Sequence, residues 1–81
     1  MRKIKDVQPL SGHKLLVTYT DGEKRIGDIT PLLSKPVFAF LRDERAFRSV
    51  YLSYGALTWR SDDGEEVDIC PDKFYMDSVP A

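Results

Sequence analysis

The chemistry available to this chain is limited by a single histidine, His13, and a single cysteine, Cys70. A thiol activated by an imidazole could act as a nucleophile, and such partners need only be close in space. A general base also needs an orienting acid and a nucleophile within hydrogen-bond reach. The stretch Leu10-Ser11-Gly12-His13-Lys14 supplies neither, and the Ser-Gly turn places His13 in an exposed loop. Cys70, between Ile69 and Pro71, reads as a small buried residue at the end of a strand. No catalytic residue is therefore expected, and the domain is not read as an enzyme. A small hydrolase is the remote alternative and would require a cleft joining His13, Cys70 and an acid.

The acidic run Asp62, Asp63, Glu65, Glu66, Asp68 has the oxygen ligands that a hard cation takes, but not the spacing. A calcium loop of the EF-hand type alternates its ligands before a central glycine and places a Glu six residues later. Here Gly64 follows two adjacent acids, and Val67, Ile69 and Cys70 lie beyond it. The run reads as a solvated hairpin tip without a metal. No phosphate-binding loop, dinucleotide glycine pattern, nucleophile elbow or zinc spacing occurs, so no cofactor is expected.

Charge is distributed unevenly. Residues 1–48 carry ten Lys and Arg against six acids, a net +4, while residues 49–81 carry two against seven, a net −5. Fields of this kind steer partners more than they shape folds. Two surfaces follow as expectations. Asp62, Asp63, Glu65 and Glu66, with Trp59 as a neighbouring aromatic, would meet a protein partner, although Trp59 could instead anchor the core. Lys24, Arg25, Arg42, Arg45 and Arg48, beside Tyr19, Phe38 or Tyr51, would contact phosphates and stack bases as a single-strand nucleic-acid binder does. Against the second stand a sequence pI of about 5.7 and the lack of a helix long enough for a helix-turn-helix.

The elements that must position these residues are short. Ile4 to Leu10 reads as a strand near an edge, ended by Pro9 and the Ser11-Gly12 turn. Lys14–Thr20 and Glu23–Ile29 flank Asp21-Gly22, a hairpin signal that predicts a type I′ turn. Thr30 as N-cap with Pro31 at the first helical position starts one helical turn, interrupted at Lys35-Pro36. Asp43 caps a second short helix through Arg48. Strands return at Ser49–Tyr54, Ala56–Arg60 and, after Asp62-Asp63-Gly64, at Glu65–Ile69, with a closing helical turn over Pro71–Met76. The 81 residues, 42% hydrophobic, make one α+β domain over 1–81. The expected architecture is a small antiparallel sheet of about five to six short strands with about two or three short helices. Open strand edges make a homodimer an expectation. Val37 to Leu41, the longest apolar stretch, is too short to span a membrane, and the charged start lacks a signal-peptide core. With one cysteine, a cytoplasmic location is expected.

The run LLVTYTDGEKRIGDITPLLSKPVFAFLRDERAFRSVYL, the isolated Trp59 and the closing VDICPDKFY resemble the small bacterial family called domain of unknown function 2442. The resemblance runs from about Val7 to Tyr75. It implies a compact α+β domain, joined in some members to a DNA-binding helix-turn-helix. It also implies a protein partner, since some members are proposed as parts of toxin–antitoxin-like pairs. The chain departs from the family pattern after Trp59, where Arg60 and the acidic tip SDDGEE replace a proline and a short glycine turn. The family supplies no catalytic residues. The expected function is a noncatalytic interaction or regulatory module, with accessory nucleic-acid binding as the alternative.

Overall fold

A computed structural model describes residues 2–81. In chain order the elements are β1 (Ile4–Leu10), β2 (Lys14–Tyr19), β3 (Lys24–Asp28), two 3-10 helices (Thr30–Ser34 and Pro36–Arg42), α1 (Glu44–Arg48), β4 (Tyr51–Ser53), β5 (Ala56–Arg60), β6 (Glu66–Ile69), α2 (Pro71–Asp77) and β7 (Val79–Pro80). The strands form two antiparallel sheets, ordered β1-β2-β3-β7 and β4-β5-β6. The fold is α+β.

The first sheet follows from the period of two along β2. Leu15, Val17 and Tyr19 are buried while Lys14 is exposed, so one face of the pleat enters the core. The loop to β3 departs from the expected type I′ turn. Gly22 alone is left-handed, at φ 91°, with its N–H donating to the Tyr19 carbonyl and the Tyr19 N–H donating to that of Glu23. This is the three-residue hairpin in which a type I turn is closed by a left-handed glycine. Asp21 contributes as an acceptor, its Oδ1 taking the Glu23 N–H at 3.0 Å. The Asp62-Asp63-Gly64 loop repeats this geometry, with Ser61 N–H donating to Glu65 and Gly64 N–H to Ser61. A two-residue turn with both central residues left-handed occurs instead at Tyr54-Gly55.

Capping organises the middle of the chain. Asp28 Oδ1 accepts the Thr30 N–H at 2.9 Å, so Asp28, rather than Thr30, provides the side-chain oxygen at the first 3-10 helix. Asp43 caps α1 as expected, accepting the Arg45 N–H at 2.9 Å. The Pro36–Arg42 helix was not expected from the sequence. Its inward residues Phe38 and Leu41 stand three apart, the repeat of a 3-10 helix. The two-residue strand β7 was also unforeseen; it covers the edge of β3 at Arg25 and Ile26.

Both sheets and all the helical segments contribute to one hydrophobic cluster. Trp59 is fully buried within it, and its indole N–H donates to the Phe47 carbonyl at 2.9 Å. This bond ties β5 to α1. The sheets touch where the Ile4 N–H donates to Gly55 at 3.0 Å. On the opposite side α2 lies so close to β3 that a Cβ at Gly27 would stand 2.5 Å from Phe74 Cζ.

Trp59→Ala should lower unfolding free energy by about 3–5 kcal/mol, and Trp59→Phe by about 1–3 kcal/mol, in chemical denaturation. Gly27→Ala should cost about 1–3 kcal/mol by forcing Phe74 away from β3.

Candidate functional site

The β5–β6 hairpin projects Asp62, Asp63 and Glu65 into solvent, with Glu66 and Asp68 exposed along β6. The loop is internally braced. Ser61 Oγ donates to the Asp63 carboxylate and accepts the Glu65 N–H at 3.2 Å. The Ser61 hydroxyl, followed by the backbone N–H of Glu65, holds the Asp63 carboxyl below its ordinary range. Glu66 accepts the Tyr51 hydroxyl proton and lies 3.7 Å from Arg60 Nη2. That hydrogen bond raises the Tyr51 hydroxyl above its ordinary pKa. Asp62, Glu65 and Asp68 carry no ion pair among the described residues.

Beside this tip lies a hollow of about 350 Å³, lined on one side by Pro36, Val37 and Phe40 of the second 3-10 helix with Val67, and on the other by Ser61, Asp62, Asp63 and Glu65 of the tip itself. Val37 is 54% exposed. Carboxylates and apolar side chains therefore share one surface. Trp59 does not contribute to it, because the ring has no accessible area; of its two readings, core anchor and recognition aromatic, the structure has the first. Val37 and Phe40 were not foreseen as part of the site. Their signal was the run Val37-Phe38-Ala39-Phe40-Leu41, whose 3-10 period turns Phe38 and Leu41 inward and leaves Val37 outside.

A second and larger groove, of about 630 Å³, opens between the sheets. Ile29, Leu32, Phe38, Ile69 and Phe74 line it, and Asp68 and Lys73 stand at its rim. Cys70 is exposed on its wall, contrary to the expected burial. Pro71 takes the buried place next to it, with its carbonyl accepting the Tyr19 hydroxyl at 2.9 Å. His13 is half-buried rather than exposed. A carbonyl can only accept, so its Nε2 donates to Leu41 at 2.8 Å, while the ring packs 4.9 Å from Phe47.

The basic residues do not share one role. Arg25 is only 12% exposed in its side chain, and its guanidinium donates to Ser78 Oγ and the Ser78 carbonyl, both at 2.7 Å, and to Glu23 at 3.0 Å. It is committed to holding the C-terminal segment, which corrects its assignment to a phosphate surface. Lys24, Arg42, Arg45 and Arg48 are exposed. Of the aromatics expected beside them, Tyr19 and Phe38 are buried and Tyr51 is tied to Glu66.

A model of the family described as Protein of unknown function (DUF2442) matches residues 4–80. The chain belongs to this family. Comparison with curated proteins and with solved structures finds no match. Four residues from the stretches that carry the family resemblance, Tyr19, Glu23, Arg25 and Tyr75, meet in space. Glu23, from the Thr-Asp-Gly-Glu hairpin, accepts the Tyr75 hydroxyl at 2.9 Å, and Arg25 stacks 4.1 Å from the Tyr75 ring centroid. Arg2 covers the same ring at 3.8 Å, and Tyr19 meets it edge-on. These motif positions join β3 to α2 and do not line the acidic tip.

Burial pushes the Tyr19 hydroxyl from 10.0 up to about 12, opposed in part by Arg25. The folded state thus favours protonated Tyr19. Its contribution is full below the unfolded pKa and is lost as pH rises through the interval from 10.0 to about 12. Denaturation midpoints should fall across that interval, and Tyr19→Phe should flatten the fall. Arg25→Ala should cost about 1–3 kcal/mol, whereas Arg42→Ala, Arg45→Ala and Arg48→Ala should each stay within about 0.5 kcal/mol.

Proposed function

We propose that this domain is a noncatalytic protein-interaction module, whose β5–β6 tip and the adjoining Val37–Phe40 surface receive a basic partner. The observation that carries this reading is the position of Asp62 and Glu65, without salt bridges, at the border of the exposed apolar hollow. Long-range attraction to the carboxylates raises the encounter rate, and burial of Val37 and Phe40 then supplies short-range affinity. A polar rim around an apolar centre is the usual anatomy of such a contact. A role in a two-protein pair, as the family resemblance implies, fits this arrangement.

No helix among the described residues is long and apolar enough to cross a membrane. A cytoplasmic site of action belongs to the same proposal and suits a lone, exposed Cys70 thiol. Nucleic-acid binding is less well supported, because Arg25 is already engaged and the three aromatics expected to stack are not free.

The test is affinity capture from native lysate at low salt, with and without nuclease, using the domain, a D62K/E65K/V37S variant and an R42A/R45A/R48A variant. The expected result is a stoichiometric protein that survives nuclease, is lost with the first variant and is kept by the second. Recovery that requires nucleic acid and is lost with the arginine variant would overturn the proposal in favour of nucleic-acid binding. Both variants should retain the fold, since neither alters a buried residue.

A further inference from the structure

The acidic tip continues into β6, which is an edge strand and pairs only with β5 among the described residues. The ladder fixes which backbone groups remain unpaired. The bond from Ser61 N–H to Glu65, together with the Trp59–Val67 and Leu57–Ile69 register, directs the N–H and C=O groups of Val67 and Ile69 towards β5. Those of Glu66 and Asp68 consequently turn outward.

Each hollow described above touches this strand from the same side. Val67 lines the smaller, with Val37 and Phe40, and Ile69 lines the larger, with Leu32 and Phe38. Two residues of a strand span about 7 Å, the interval at which alternate side chains of a neighbouring strand also recur. The alternate positions of β6, Glu66 and Asp68, are both exposed, with Asp68 also bordering the larger hollow. An open edge, two hollows with apolar walls at a strand's repeat and carboxylates on the alternate positions specify one kind of ligand.

We propose that the partner binds by adding an extended segment to the edge of β6. Apolar residues of that segment fill the Val67 and Ile69 hollows, and lysine or arginine residues between them face Glu66 and Asp68. This rests on the preceding reading and specifies the form of the partner. Main-chain bonds supply affinity, and the alternating side chains supply selectivity. A second copy of this chain is the wrong occupant for this edge. Antiparallel self-pairing through the outward backbone groups, centred on Val67, would set Glu66 of each copy against Asp68 of the other, and like charges directly opposite are destabilising. Carboxylates on the edge thus deter self-pairing while leaving it open to a basic strand.

The experiment uses the full chain labelled with 15N and three capped peptides of one composition. In the first, lysine and arginine alternate with valine and leucine; in the second, the basic and apolar residues are segregated; the third is the first with alternate amides N-methylated on the edge that would face β6. The alternating peptide should bind at least roughly tenfold more tightly than the segregated one. It should slow amide exchange at Glu66 and Asp68, and N-methylation should abolish both effects. Asp68→Pro, which removes an outward N–H without touching the β5 ladder, should weaken binding similarly, with retention of the fold checked by the amide spectrum. Equal binding of all three peptides would overturn strand addition while leaving the acidic surface as a recognition site. Failure of every peptide to bind would overturn both.

Discussion

The structure depends on the burial of Trp59. Its indole is the largest fully enclosed side chain, and its one polar atom is satisfied by the Phe47 carbonyl at the end of α1. A large apolar ring with a single directional bond fixes both the distance and the orientation of β5 relative to the helical middle. Since β6 pairs only with β5 among the described residues, that constraint also sets where the β5–β6 hairpin emerges. It places Val67 against Pro36, Val37 and Phe40 and so creates the surface proposed for recognition.

A second constraint closes the other side of the molecule. Glu23, Arg25, Tyr19 and Tyr75 form a half-buried polar cluster joining β3 to α2 and β7, with Ser78 completing the Arg25 hydrogen bonds. Buried and half-buried charge is costly unless paired, and here the guanidinium has a carboxylate, a hydroxyl, a carbonyl and an aromatic face. The C-terminal segment is fixed by these contacts more than by the two residues of β7. Arg25 is consumed internally, whereas Asp62, Asp63 and Glu65 of the β5–β6 tip remain in solvent.

Much of this architecture was legible in the sequence because the relevant signals are local. Asp21-Gly22 and Asp62-Asp63-Gly64 marked two hairpins, alternation along Lys14–Tyr19 marked a strand with one buried face, and Asp43 marked a helix start. The turn type was not legible. Asp21 can adopt a left-handed conformation or accept a neighbouring N–H, and only the completed ladder selects the second. The Pro36–Arg42 helix was hidden because a period of three over a short apolar run resembles a strand or an α-helix equally well. Cys70 and His13 exchanged their expected environments for non-local reasons: Pro71 occupies the core position beside Cys70, and the Leu41 carbonyl reaches His13 from 28 residues away. The acidic half of the site was visible as a charge run. Its apolar half was not, because Val37 and Phe40 join it only through tertiary packing.

The acidic tip and the Val37–Phe40 hollow are proposed to form one recognition surface. The most direct measurement is an amide chemical-shift map of the 15N-labelled domain titrated with the purified native partner. Perturbations should concentrate at 36–40 and 61–69 and diminish as salt screens the carboxylates. A map centred on Lys24 and Arg42 to Arg48, with residues 61–69 unmoved, would contradict the account.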